Sequence, residues 1–156
     1  MKLNIVAVGK IKEGYFRDAV SEYQKRISRF ANLQIAEVDE CAFNGVPNEA
    51  QIAKILDEEG KNILRKAEGC LVALDIDGAP IDSVGLCNLV EKIAQTTSTV
   101  TFVIGGSHGL SAEVKQRADY RISLGKITLP HQLCRVVLAE QLYRALTIKN
   151  NVPYHK

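Results

Sequence analysis

The chain has 156 residues, of which 46% are hydrophobic, 24% charged and 6% aromatic, with no Trp; it is expected to be a single domain, 1–156, able to bury one sizeable core without staples. The low aromatic share argues against a stacking platform for single-stranded nucleic acid, and the cysteines Cys41, Cys70, Cys87 and Cys134 lack zinc-ligand spacing, so small buried hydrophobes in a reducing compartment are expected. Net charge is +2, but residues 1–114 hold 12 Lys+Arg against 16 Asp+Glu and residues 115–156 hold 8 against 2, so the C-terminal part carries either a solvated basic face or a surface for an anionic partner.

The first strand is Leu3–Val8, ending at Gly9. Its apolar run is too short and too soon followed by Lys10 and Lys12 to be a signal peptide. No stretch reaches the ~18 apolar residues that span a bilayer, so a cytosolic protein with no membrane partner is expected. A helix over 14–30 follows, with Phe16, Ala19, Val20, Tyr23, Ile27 and Phe30 in one apolar stripe. Leu33–Val38 reads as the second strand, with Leu33, Ile35 and Glu37 on one face, and Asp39–Asn48, with Asn44-Gly45 and Pro47, as a loop. The second helix spans 49–67 despite Gly60, and Gly69 closes it.

Cys70–Ile76 is apolar apart from Asp75, which predicts a strand buried on both faces. Asp77-Gly78-Ala79-Pro80 reads as a turn, and Asp82 or Ser83 caps a third helix to Ala94. Thr99–Ile104 is the fourth strand; Gly105–Gly109 is a glycine-rich loop; Ser111 caps a short helix with Glu113 in its first turn. Tyr120–Leu124 is the fifth strand, Gly125–Pro130 a loop, and a long helix opens at Pro130 or His131 and runs to Ile148. Strands alternating with helices predict an α/β fold with a mainly parallel sheet flanked by helices. Ligand sites then lie at the carboxyl ends of the strands, in the loops after Ile76, Ile104 and Leu124.

The glycines of Gly105-Gly106-Ser107-His108-Gly109 let backbone N–H groups approach a ligand, but the loop is neither GxGxxG nor a P-loop, and a plain strand-to-helix turn reads as well. The last helix is apolar around nearly its whole circumference, so one side is expected to be covered by another subunit. Glu140 and Arg144, four apart, read as a structural salt bridge. Arg135 reads as part of a charged cluster at the mouth of a site.

Three stretches carry a resemblance: Phe102–Leu110; Thr128-Leu129-Pro130-His131-Gln132-Leu133 with Arg135–Glu140 and Leu142–Ala145; and the terminal Pro153-Tyr154-His155-Lys156. Met1–Lys10 and Leu74-Asp75-Ile76 agree with it. End to end, the chain resembles the RlmH (YbeA) family, the ribosomal RNA large subunit methyltransferase H group of the SPOUT superfamily. The resemblance implies an α/β domain with a C-terminal trefoil knot, a homodimer, and methylation of N3 of a pseudouridine in large-subunit (23S) rRNA on the assembled ribosome. It implies S-adenosyl-L-methionine as cofactor, S-adenosyl-L-homocysteine as product, and no metal. Carried over residue by residue, the cofactor positions are Leu74, Gly105, Leu124, Gly125, Lys126, Ile127, Thr128 and Leu129, the last six forming a knot loop that holds adenine largely by backbone groups. Arg135 and a second subunit's Tyr154, His155 and Lys156 are implied to stabilise the anion forming on the base, with His131 or His155 as proton acceptor. His108 departs from the family's more usual Asn or acidic residue. A SPOUT enzyme acting on tRNA and a non-catalytic ribosome-binding module are the alternatives.

Overall fold

The computed structural model describes residues 1–156. The elements in chain order are β1 (Lys2–Val8), α1 (Gly14–Ile27), β2 (Asn32–Val38), α2 (Glu49–Lys66), β3 (Cys70–Pro80), α3 (Ser83–Ala94), β4 (Thr99–Ile104), α4 (Ala112–Arg117), β5 (Tyr120–Ser123) and α5 (His131–Lys149). The five strands form one sheet in the order β2-β1-β4-β3-β5, and every pairing is parallel.

Alternation along the strands decides which helix each residue meets. On β1, Leu3, Ile5 and Ala7 join a core with Ile27 of α1, Leu86, Val90 and Ile93 of α3, and Leu138, Leu142 and Ala145 of α5. Val6 and Val8 point the other way, to Ile63 of α2 and Val114 of α4. The sheet is therefore covered by α1, α5 and α3 on one face and by α2 and α4 on the other. Helix α5 packs against both α1 and α3. Its Leu133, Val136 and Val137 stay half-buried in the single chain, so the all-round apolar surface is not fully absorbed by the chain's own fold.

Local capping sets the helix starts. Asn48 Oδ1 accepts from the Gln51 N–H while the Gln51 side chain accepts from the Asn48 N–H, a capping box. Asp82 Oδ1 accepts from the Gly85 N–H at 2.7 Å, and Ser111 Oγ from the Val114 N–H at 3.2 Å.

The expected Asp77–Pro80 turn is instead the end of β3. The strand breaks register against β5, so that both Leu74 and Ala79 face Ile122. Residues 75–78 bulge out of the ladder between those two pairings. Gly78 makes the return possible: a Cβ there would lie 2.8 Å from backbone atoms of Arg121 and Ile122. Helix α1 is also shorter than its stripe, ending at Ile27.

Phe102 is fully buried in the middle of the sheet, on β4 between β1 and β3. Phe102→Ala is expected to cost about 3–5 kcal/mol, read as a drop in the urea midpoint with an unchanged m-value.

Candidate functional site

The carboxyl ends of β3, β4 and β5 close on one pocket of about 680 Å³. Its walls are the β3 bulge, the glycine loop after β4, and the loop from β5 to the start of α5. Leu74, Gly105, Leu124, Gly125, Ile127, Thr128, Leu129 and His131 all line it. Lys126 lies in the same loop but is exposed and outside the lining.

The glycine loop is a requirement of geometry here rather than a generic turn. A Cβ on Gly105 would run into the Gly109 carbonyl, and the Gly109 N–H donates to Gly106 O at 3.1 Å. The loop is thus folded on itself, and Gly105 to Gly109 line the pocket together. The β5–α5 loop is held at its start, where Ser123 Oγ donates to Gly125 O and accepts from the Gly125 N–H. Beyond it, the amides and carbonyls of residues 126–129 make no backbone hydrogen bonds. Ile127 is 83% exposed, an apolar side chain standing open beside the pocket.

The β3 bulge is pinned by charge. Arg121 Nη2 and Nε donate to Asp75 Oδ2 at 2.7 and 3.1 Å, and Lys115 Nζ donates to Asp75 Oδ1 at 3.3 Å. The Asp77 N–H adds a fourth donor. Burial alone would raise the Asp75 carboxyl, but the Arg121, Asp77 and Lys115 hydrogen bonds overcome it and hold it below its ordinary value. Sequence reasoning gave neither Asp75 nor Lys115 a role, although both line the pocket. Asp75 was detectable as the one charge in an apolar strand; Lys115 left no signal.

Arg135 is not at the mouth of the pocket. It is fully buried, donating from Nη2 to Val8 O and Gly9 O at 2.9 and 2.7 Å and from Nη1 to Glu37 Oε1 at 2.9 Å. Burial lowers its guanidinium and Glu37 opposes that. Its Nε has no partner. The charge bolts the first turns of α5 to the ends of β1 and β2, so Arg135 is a positioning residue. His131, one turn earlier, is at the pocket rim, with Nε2 beside Gly9.

Tyr154 and His155 do not line the pocket. The tail folds back on the far end of α5. Tyr154 Oη donates to Glu140 Oε1 at 3.1 Å, its ring packs edge-on against Tyr143, and the Arg144 guanidinium lies 4.6 Å from its centroid. Arg144 pairs with Glu140 and reaches His155 Nδ1 at 3.5 Å. Burial, then Glu140, raises the Tyr154 phenol. The expected Glu140–Arg144 salt bridge is therefore present and anchors the tail. From His131 to Arg144 is 13 residues of helix, about 20 Å.

A family model described as Predicted SPOUT methyltransferase matches residues 1–155. The chain is 46% identical to a Ribosomal RNA large subunit methyltransferase H from Streptococcus agalactiae serotype III (strain NEM316), and 45% identical to one so named from Streptococcus pneumoniae (strain CGSP14). Both matches cover all of each chain. Among solved structures, a probable methylase family protein from Haemophilus influenzae Rd KW20 superposes with a TM-score of 0.54 at 13% identity, over 99% of this chain and 70% of that one, a likeness of fold.

Asp75→Asn tests the charged pin. A carboxyl held below its unfolded value stabilises the fold above that value and loses the contribution as pH falls through the folded one. The variant is expected to be less stable than the parent at neutral pH, with the gap closing below pH ~4; urea midpoints across that range read it.

Proposed function

The chain belongs to the SPOUT methyltransferase family, and from that premise we propose that it transfers a methyl group from S-adenosyl-L-methionine to N3 of a pseudouridine in large-subunit ribosomal RNA. The observation that carries this reading is the 46% end-to-end identity to a relative named as a large-subunit ribosomal RNA methyltransferase, in a chain whose three carboxyl-end loops close one pocket. The ribosome is the proposed setting and the cytoplasm the proposed compartment. The proposed unit is a homodimer of single-domain chains, each with its C-terminal segment threaded as a trefoil knot.

The pocket suits an adenosine. Leu74, Ile127 and Leu129 offer apolar walls for a flat base, and the unengaged backbone groups of 126–129 offer donors and acceptors for its edge. The glycine loop, closed on itself between Gly105 and Gly109, offers its backbone as the surface for a ribose. When bound, the cofactor supplies an electrophilic sulfonium methyl. The residues proposed to hold it are Leu74, Gly105, Leu124, Gly125, Lys126, Ile127, Thr128 and Leu129, with Lys126 reached through its main chain.

The acceptor N3 loses its proton as it is alkylated. Imidazole titrates near neutrality, and His131 stands at the rim of the pocket. The tail is the other proposed contributor. On its own chain it is held against Glu140 and Arg144 and lines no part of the pocket, so its contribution is assigned to the pocket of a second copy. The half-buried Leu133, Val136 and Val137 beside the pocket supply the apolar face on which that copy would sit. A second copy's Tyr154, His155 and Lys156 would then offer hydrogen bonds and positive charge to the anion forming on the base. Placing the reacting atoms in line supplies much of the remaining rate.

The test is to incubate the protein with radiolabelled S-adenosylmethionine and ribosomes from cells lacking the endogenous enzyme, with tRNA as a parallel substrate. Label on one large-subunit pseudouridine, and none on tRNA, is expected. Label on tRNA alone would replace the substrate assignment.

A further inference from the structure

A second cavity, of about 340 Å³, lies on the other side of the glycine loop and shares Ser107 and His108 with the first. Its remaining walls are Glu40 to Phe43, Gly45 and Pro47 of the loop before α2, with Ile55 and Glu59 of α2 itself. Glu59 is 3% exposed. Its Oε1 accepts from the Cys41 N–H at 3.1 Å, which ties the loop down. Its Oε2 has no hydrogen-bond partner in the protein. It lies beneath the glycine loop: a Cβ on Gly106 would sit 3.4 Å from it, and 3.0 Å from Val8 Cγ1. A second carboxylate, Glu40, accepts from Ser107 Oγ at 3.1 Å on the same wall.

Glu59 is thus a largely buried carboxylate whose Oε2 is left open to the cavity, where a cationic donor would make a charge-assisted hydrogen bond. Burial raises the Glu59 carboxyl and Glu40 raises it further, while the Cys41 N–H and the nearby His108 oppose them, leaving the carboxyl above its ordinary value. A cation delivered to this spot would relieve both carboxylates. A metal ion does not suit, because no group of three or more His, Cys, Asp or Glu side chains is placed to hold one. RNA phosphates would be repelled. Among the reactants of the proposed chemistry, the methionyl arm of the cofactor alone carries an N–H cation; it extends from the adenosine bound in the adjoining pocket, and the α-carboxylate on the same carbon would turn away from Glu40 and Glu59.

We propose that this second cavity receives the α-ammonium group of the donor's amino-acid arm, with Glu59 Oε2 and the Glu40 carboxylate accepting from it. The proposal rests on the reading that the larger pocket holds the adenosine. It gives the glycine loop two working faces: one backs the adenosine pocket, and at the other Gly106 leaves Glu59 uncovered. Substrates of this site are then adenosine sulfonium compounds with a free α-amine.

Calorimetric titration of S-adenosylhomocysteine and of its analogue with hydrogen in place of the α-amino group tests this. The parent protein should bind the amine-bearing ligand about tenfold or more tightly, the scale of a charge-assisted hydrogen bond. In Glu59→Gln that preference should shrink toward parity, while the affinity for the desamino analogue stays within about twofold, a sign that the adenosine pocket is intact. Glu40→Gln, at an exposed position, should narrow the preference as well, and it serves if Glu59→Gln fails to fold. Equal binding of the two ligands by the parent overturns the proposal and leaves the adenosine pocket standing, as does an equal loss for both in Glu59→Gln. Binding of neither by the parent overturns both readings.

Discussion

Arg135 fastens α5 to the sheet, and most of what matters in the site follows from where that helix begins. Two of its hydrogen bonds go to the carbonyls at the end of β1 and one to Glu37 on β2. A fully buried guanidinium is tolerable because those acceptors replace water. With the helix start fixed, the loop from Ser123 to Pro130 is strung between two anchored ends. It can present its main chain to a ligand without hydrogen bonds of its own. The same helix carries the tail at its far end, bound through Glu140 and Arg144. One rigid element therefore holds a pocket wall at its start and, from Glu140 on, the cluster of Tyr and His in the tail, which lies off the pocket of its own chain.

The pocket is built from backbone and apolar surface, with charge set behind it. Asp75 gathers Arg121 and Lys115 to hold the β3 bulge, Ser123 fixes the start of the third loop, and the glycine loop folds on itself. Such a site keeps its shape while side chains of the third loop vary, because its contacts there are main-chain groups. It also suits a cationic donor, which must be held without a strong ion pair at the reacting sulfur. On the proposed reading Glu59 and Glu40 serve the far end of the donor, while Asp75 in the larger pocket is already engaged by Arg121 and Lys115.

Much of this was legible in the sequence. All ten elements lie within a few residues of where periodicity and turn chemistry put them, because each signal is local: apolar strands, Asp82 and Ser111 as caps, Pro130 at the mouth of α5. The pocket loops followed from the rule that parallel strands bind ligands at their carboxyl ends. What stayed hidden depends on distant partners. The β3 extension is invisible because it rests on Gly78 meeting the backbone of Arg121 and Ile122. Arg135 read as a site residue because its acceptor, Glu37, is 98 positions away. Glu59 drew no reading of its own, since burial cannot be read from a charge in an amphipathic stretch. The tail's chemistry was visible, but not that Glu140 would hold it.

The central claim is that one chain's pocket works with another chain's tail. The direct measurement mixes two variants, each inactive alone: residues 1–152, which lacks the tail, and Leu129→Glu, which puts a charge in the pocket's apolar wall. If the site is shared, mixed dimers contain one complete pocket and tail, and methyl transfer to ribosomes reappears after the two are unfolded and refolded together. If the tail serves its own pocket, the mixture stays as inactive as its parts.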